Sequence, residues 1–271
     1  MAEPPKAYVE IAVTSPKAGV ELLTLNRPDQ LNTLSRLMVS ELNDYFACLK
    51  TRTHVRVVLL QGKGKGLCAG LDIKDWAFAQ DAHVAHTAWA SQKAIGDIVR
   101  KMRACPQPII ALAHGPACGG GMSLMLASDV RYGAPSLKMN AAYIKIGLGG
   151  CDIGSSYFLP RLIGASAAAE IILTGRFITA ERALHFGLLS EVVEEEALLA
   201  KGLALADEML SNSPMGLRLS KEALNLNIDA QGLEAAMAIE DRQQVMLLGG
   251  EDFREATLAF VEKRKPVFRS E

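Results

Sequence analysis

The sequence predicts an α/β fold with a mainly parallel sheet, followed by a helical C-terminal region. Short apolar runs alternate with helical patterns through the first half of the chain, as is typical of that class. Some runs, such as residues 55–61, are almost continuously apolar, which indicates strands covered on both faces. The last third contains helical patterns with no strand pattern between them. We therefore predict a core over residues 1–195 and a helical region over residues 196–271.

Apolar spacing and turn signals predict each element of the first half. Two β-rich runs lie on either side of Gly19 and predict a hairpin. Apolar residues three or four positions apart predict helices, and Pro106 ends the second of them because proline cannot continue a helix. The predicted strands are 8–13, 20–26, 55–61, 109–113 and 129–132, and the predicted helices are 35–50, 87–104 and 122–128.

Capping signals accompany the helical patterns of the C-terminal region. Ser213 followed by Pro214 predicts an N-cap with proline at the first helical position. Asp252, with Glu255 three residues later, resembles a capping box. The predicted helices are 165–173, 180–186, 194–210, 214–226, 232–248 and 253–264.

Composition excludes several classes of protein. The chain has 271 residues, of which 49% are hydrophobic and 22% charged, so it is globular rather than disordered. Its formal net charge of −1 gives no global field that would attract nucleic acid or an anionic membrane. The five cysteines include no CxxC pair, and we expect no signal peptide, membrane-spanning run or peroxisomal Ser-Lys-Leu tail. We expect a protein of the reducing cytoplasm.

Two glycine-rich loops, residues 64–74 and 115–121, each follow a buried strand pattern. Glycine lets the backbone approach a ligand closely, and a glycine run at a helix start leaves free N–H groups. Neither loop is a P-loop or a GxGxxG fingerprint, which disfavours nucleotide hydrolysis and nicotinamide chemistry. Two facing sets of donors instead suit an oxyanion whose charge develops during a reaction.

Seven segments in order along nearly the whole chain resemble the crotonase superfamily, the enoyl-CoA hydratase/isomerase family. Each segment alone is short, and together they are specific. They are LNRPDQLN at 25–32, CAGLDIK at 68–74, PIIA at 108–111, GPACGGG at 115–121, LTGR at 173–176, GLL at 187–189 and FVEKRKPVF at 260–268.

The resemblance implies a spiral of repeated ββα units with a C-terminal helical region that trimerises, giving a homotrimer or a hexamer. It also implies an acyl-CoA thioester substrate. Coenzyme A then arrives as part of the substrate, so no separate cofactor is expected. By position, the resemblance assigns the N–H groups of Ala69 and Gly120 to an oxyanion hole for the thioester carbonyl. One such donor contributes roughly 3–4 kcal/mol to transition-state stabilisation.

The resemblance also implies residues that bind the coenzyme A ester. Backbone near Gln30 and Cys68 contacts adenine and pantetheine, and Phe260 reaches coenzyme A, often that of a neighbouring subunit. Lys263 either does the same or is a solvated cation at a helix end. Trp76, with Phe78 and Trp89, walls the acyl pocket or packs as ordinary helix side chains. The substrate-binding residues are Gln30, Leu31, Cys68, Gly70, Leu71, Asp72, Ile73, Trp76, Gly119, Phe260 and Lys263.

The chain departs from the family where hydratases carry two catalytic glutamates. Ser123 and Tyr143 stand at those positions, and neither hydroxyl is a general base near pH 7. Asp152 matches an aspartate of the dienoyl-CoA isomerase branch, although it is also placed to be a helix N-cap. A lone carboxylate beside an apolar pocket has a raised pKa and shuttles a proton between carbons. Isomerisation is therefore favoured over hydration.

Three hypotheses follow from these residues. The first is an acyl-CoA enzyme of the crotonase type, a lyase or isomerase, with Ala69, Gly120, Asp152, Tyr143 and Ser123 in its catalytic site. The second is a non-catalytic acyl-CoA binder or oligomeric scaffold, and the third is an acyl-CoA hydrolase on the same fold. No metal is predicted, because the two histidines at positions 83 and 86 have no third ligand in view.

Overall fold

A computed structural model describes residues 7–76 and 84–268 and has two sheets. The larger is six-stranded, in the order β1-β2-β3-β4-β6-β9, and all of its pairs are parallel except β1 with β2. The smaller is three-stranded, in the order β5-β7-β8. The mainly parallel α/β prediction is confirmed. The strands are β1 Ile11–Lys17, β2 Val20–Leu25, β3 Val57–Gly62, β4 Ile109–Ala113, β5 Pro116–Cys118, β6 Val130–Gly133, β7 Lys138–Asn140, β8 Ile178–Thr179 and β9 Glu191–Val192.

The helices of the described residues begin and end near the predicted bounds. Ser213 caps α8 by accepting the Gly216 N–H at 3.2 Å, with Pro214 first in the helix, as predicted. No helix in residues 7–76 or 84–268 has the length and apolarity needed to cross a membrane. The helices are α1 Arg36–Cys48, α2 Val84–Ala104, α3 Gly120–Ala127, α4 Ser155–Ile163, α5 Ala165–Thr174, α6 Ala180–His185, α7 Leu198–Leu210, α8 Pro214–Asn227, α9 Leu233–Leu248 and α10 Glu251–Val261.

Several details of the sequence prediction are wrong, and the strands of the smaller sheet, β5, β7 and β8, were not predicted. Strands β8 and β9 lie in the part predicted to be wholly helical, because two-residue strands carry no periodicity and are set by their partners. Helix α4 was not predicted. The capping box is absent: Gly250 precedes α10, the Asp252 carboxylate accepts a hydrogen bond from Ser213, and Glu255 pairs with Arg264.

The central strands β2, β3 and β4 of the six-stranded sheet are buried on both faces, which explains their continuous apolar runs. In β3, Val58 and Leu60 belong to a core formed with α1, α2 and α3, whereas Val57 and Leu59 belong to a second core on the opposite face. This alternation follows from the two-residue period of a strand. The second core is covered by α7, through residues that include Leu198. The first helix beyond residue 195 therefore packs directly on the sheet.

A buried lysine joins the helical region to the rest of the molecule. Lys221 in α8 is only 5% exposed, and its Nζ lies 2.9 Å from an Asp129 carboxylate oxygen. The same ammonium donates to the carbonyl oxygens of Gln107 at 2.7 Å and Met102 at 3.2 Å, at the end of α2. A buried charge needs such partners. Helix α9 packs on α8 and α10 packs on α9.

Candidate active site

A cavity of about 600 Å³ lies where the two glycine-rich loops meet α2 and the segment that precedes α4. Its walls are mainly apolar, with few polar groups, as is usual for a small-molecule site. The structure therefore brings most of the predicted site residues together. Those that line the cavity are Ala69, Gly70, Leu71, Ile73, Trp76, Gly119, Gly120, Tyr143 and Asp152.

Backbone hydrogen bonds hold the two glycine turns against each other. The Cys68 N–H donates to the Pro116 carbonyl at 3.0 Å, and the Cys118 N–H donates to the Cys68 carbonyl at 2.9 Å. The turns are so close that a Cβ on Gly121 would lie 2.1 Å from the Cys68 carbonyl oxygen. No side chain fits there, so glycine is required by the approach of the two chains.

The free amides differ in part from the prediction. Gly120 is the first residue of α3, and the first N–H groups of a helix have no intrahelical partner. The Ala69 N–H, in contrast, donates to the Leu31 carbonyl at 3.0 Å and is not free. This corrects the assignment of Ala69 as an oxyanion donor. The sequence pattern located the turn but not the direction of each amide within it.

The free amide of the first turn belongs to Leu71. The Gly70 carbonyl accepts from Leu34 at 2.8 Å, and the Asp72 N–H donates to the Leu34 carbonyl at 3.1 Å. Because successive amides of an extended segment point to opposite sides, the Leu71 N–H points away from Leu34. It makes no hydrogen bond with any residue that the structure describes. A Cβ on the neighbouring Gly70 would lie 3.1 Å from the Cys118 carbonyl oxygen, so the first turn closely approaches the second.

The two residues predicted to stand at the hydratase glutamate positions form a hydrogen-bonded pair. The Ser123 and Tyr143 hydroxyl oxygens are 2.6 Å apart, although the residues are twenty positions apart in sequence. Both side chains are buried, and only Tyr143 lines the cavity. Burial raises the pKa of Tyr143 well above its ordinary value, with the nearby Asp152 charge adding to the effect. The phenol therefore stays protonated and neutral.

Asp152 is the carboxylate of the cavity. Its Oδ1 accepts hydrogen bonds from the Gln92 side chain and, at 2.8 Å, from the Ile153 N–H. Burial raises the pKa of Asp152, and these two donors oppose the effect. Helix α4 begins at Ser155 after Gly154, so the alternative interpretation of Asp152 as the N-cap is wrong.

Sequence reasoning missed Gln92. It lies one helical turn after Trp89 in α2, and both side chains line the cavity. The signal was a polar residue three positions from an aromatic residue predicted to face the acyl pocket. That spacing alone did not show which acidic group it would meet, because Asp152 is sixty residues away.

Several predicted ligand-binding residues hold the first turn in place or lie outside the cavity. The Arg27 guanidinium lies 2.9 Å from the Asp72 carboxylate. Burial tends to raise the pKa of Asp72, but this ion pair and hydrogen bonds hold it below its usual value. Gln30 ends a short 3₁₀ turn next to Leu31 and does not line the cavity. Phe260 is 85% exposed at the end of α10, and Lys263 follows it, also exposed.

Three of the cysteines, Cys68, Cys105 and Cys118, are buried, as is Trp76. All five cysteines are free, and burial raises the pKa of Cys68 to about 12 and that of Cys118 to about 11. Trp76 is buried and donates its indole N–H to the Leu34 carbonyl at 2.8 Å.

The positions 78 and 83, predicted as a pocket aromatic and one histidine of a pair, lie outside the described residues. No metal-binding group of three His, Cys, Asp or Glu side chains occurs among the residues described.

A spiral α/β core in which two glycine turns meet over an apolar cavity defines the crotonase class of fold. A family model described as enoyl-CoA hydratase/isomerase matches residues 15–271. The chain belongs to the enoyl-CoA hydratase/isomerase family, and so to the crotonase superfamily.

Relatives and solved structures agree with this placement. The chain is 38% identical over 264 residues to "Probable enoyl-CoA hydratase EchA12" of Mycobacterium tuberculosis, covering 95% of this chain and 92% of that protein. It is 31% identical over 260 residues to the 1,2-epoxyphenylacetyl-CoA isomerase of Escherichia coli, covering 96% and 98%. The crystal structure of an enoyl-CoA hydratase from Bacillus anthracis superimposes with a TM-score of 0.91 at 32% identity, covering 97% of this chain and 100% of that chain.

Proposed function

We propose that this enzyme of the enoyl-CoA hydratase/isomerase family isomerises unsaturated acyl-CoA esters by moving a proton, and that it does not efficiently add water. The observation that carries the proposal is the side-chain chemistry of the cavity. Asp152 is the one carboxylate among the described residues that line it. A single carboxylate suffices to take a proton from one carbon and return it to another.

The thioester carbonyl oxygen binds between the amides of Gly120 and Leu71. Loss of an α-proton moves the C–H electron pair toward the carbonyl, which becomes an enolate oxyanion. The Gly120 N–H stands at the N-terminus of α3, where the helix dipole also favours negative charge. Leu71 takes the role expected of Ala69, because the Ala69 N–H is already bonded to Leu31.

Asp152 is the proton carrier in this scheme. Its carboxylate accepts the α-proton of a β,γ-unsaturated ester, and the enolate then forms. The resulting carboxyl group returns the proton to the γ-carbon, which shifts the double bond into conjugation and restores the carboxylate. No oxidant, reductant or water is consumed. A pKa raised by burial suits this role, because the group must both accept and release the proton.

The hydroxyl pair supports isomerisation over hydration. Ser123 and Tyr143 occupy the positions at which hydratases of the family carry glutamates, and they are hydrogen-bonded to each other. A neutral phenol and an alcohol neither bear the charge nor provide the basicity that activates a water molecule. A relative is named 1,2-epoxyphenylacetyl-CoA isomerase, which supports isomerisation of a coenzyme A ester as the type of reaction.

Coenzyme A and oligomer contacts complete the proposal. We place the adenine and pantetheine near the backbone of Gln30 and of residues 68–73, with Phe260 and Lys263 of a neighbouring subunit reaching the same ligand. Apolar side chains exposed on α9 and α10 support burial between subunits of a trimer, alone or paired as a hexamer. They are Leu233, Met237, Val245, Met246, Leu248, Phe253, Leu258, Phe260 and Val261.

Asp152→Asn tests the function directly. We expect conversion of β,γ-unsaturated hexenoyl-CoA to its conjugated isomer, followed by absorbance, to fall by about 100-fold or more. Asp97→Asn is the matched control, because that carboxylate lies on the exposed side of α2 paired with Arg100. Binding without turnover or α-deuterium exchange in the wild type would support the non-catalytic binder, and release of free thiol would support the hydrolase. An Asp152→Asn enzyme as fast as wild type contradicts the proposal.

A further inference from the structure

The two oxygens of the Asp152 carboxylate have different surroundings. Oδ1 accepts from the Gln92 side chain and from the Ile153 N–H. Oδ2 makes no hydrogen bond with any described residue. A carboxylate with one oxygen fixed by two donors cannot rotate freely, so the second oxygen has a defined direction.

The backbone around Asp152 is also fixed, at a cost in strain. Ile153 has a φ of 45°, in the left-handed region that a β-branched residue rarely adopts. The Asp152 N–H donates to the Ser155 hydroxyl at 3.0 Å, and the Ser155 N–H donates to the Asp152 carbonyl at 2.9 Å. This turn sets the direction of the Ile153 amide toward Oδ1. The turn thus fixes the Ile153 N–H donor, and α2 supplies the second donor, Gln92.

We propose that Gln92 is a positioning residue that fixes Oδ1 of Asp152 and leaves Oδ2 as the oxygen that carries the proton. The proposal rests on the proposed function, in which Asp152 moves the proton. It adds a role for α2, whose residue Gln92 is bound to a turn sixty positions further along the chain. The site is thereby assembled from two elements that are distant in sequence.

Among the residues that the structure describes, no nearby cation takes over the task of Gln92. Among the described residues that line the cavity, the titratable side chains are Tyr143 and Asp152, and Tyr143 is neutral. Lys93 follows Gln92 in α2, but its ammonium lies over the Trp89 ring, 5.2 Å from the centroid. The carboxylate therefore depends on the Gln92 and Ile153 N–H groups to offset its desolvation.

Two substitutions of Gln92 separate positioning from packing. Gln92→Leu removes the donor, and we expect the acid limb of the kcat/KM profile to move up by about one pH unit. Gln92→Glu keeps the shape of the side chain but places a second negative charge beside Asp152. The acid limb of its kcat/KM profile should therefore move to still higher pH. In both variants kcat falls while KM stays near the wild-type value. If Gln92 only packed against its neighbours, Gln92→Leu would shift the acid limb more than Gln92→Glu, since glutamate is closer to glutamine in shape.

A direct titration and a control keep the test independent of turnover. A carbon-detected NMR titration of the Asp152 carboxyl should show the same upward shifts in pKa. Gln61→Leu is the matched control, because Gln61 donates one side-chain hydrogen bond to Thr24 away from the cavity. Gln92 variants with wild-type profiles and an unshifted Asp152 pKa overturn the positioning proposal alone. An active Asp152→Asn enzyme overturns the proposed function and the positioning role with it.

Discussion

The two halves of the cavity are built in different ways. The side proposed to face the thioester carbonyl consists of backbone, the amides of Leu71 and Gly120, held by strand-like hydrogen bonds between two glycine turns. The opposite side consists of side chains, with Asp152 held by Gln92 and the hydroxyl pair beside it. Backbone geometry is preserved under most substitutions, whereas in the proposed mechanism a single side chain, Asp152, decides which proton moves. In the proposed mechanism, the backbone side of the cavity stabilises charge, and the side-chain side determines which reaction follows.

We expect the largest loss of activity from a substitution that disrupts the backbone half of the cavity. In Gly121→Ala, the new Cβ would meet the Cys68 carbonyl oxygen at 2.1 Å, so the two turns must separate. Misplacing one oxyanion donor costs about 100-fold to 1,000-fold in rate. We expect at least that loss in hexenoyl-CoA isomerisation, together with a lower melting temperature.

A matched glycine serves as the control. A Cβ on Gly149 meets nothing within 4 Å, so Gly149→Ala should keep wild-type turnover and stability. Equal activities of the two variants would show that the close approach of the turns is not needed.

The pH dependence of kcat/KM tests the side-chain half of the cavity. The proposed reaction needs Asp152 ionised, and burial raises its pKa above the ordinary value of about 3.9. The rate, kcat/KM, should therefore rise about tenfold per pH unit below that raised pKa and level off above it. Burial raises the pKa of Tyr143, so its ionisation should add no alkaline limb below about pH 10. A rate that falls as the pH rises through the acidic range contradicts the assignment.

The smallest expected effect concerns the hydroxyl pair. Ser123→Ala and Tyr143→Phe should each lower the free energy of unfolding by about 1 kcal/mol, and the double variant by less than the sum. Urea unfolding measures this coupling. Turnover should change only a few-fold, because neither hydroxyl carries the proton. If Tyr143→Phe is as inactive as Asp152→Asn, the phenol belongs to the proton path.

The sequence located the backbone half of the site more completely than the side-chain half. Buried strands, glycine turns and the start of α3 have local patterns, and the resemblance to the crotonase superfamily added Gly120, which the structure places first in α3. The direction of the Ala69 amide could not, because it depends on the Leu31 carbonyl from another segment. Gln92 was missed for the same reason, since its partner is sixty residues away. The short strands β8 and β9 likewise depend on partners distant in sequence.

The buried Lys221 affects which part of an isolated subunit unfolds first. It fastens α8 to the end of α2 and to Asp129, whereas α9 packs on α8 and has no buried residue of its own. The last two helices are therefore the least protected part of an isolated subunit, and their amides should exchange hydrogen long before those of the sheet. Protection that appears there only at high protein concentration would measure subunit association while the acyl cavity stays intact.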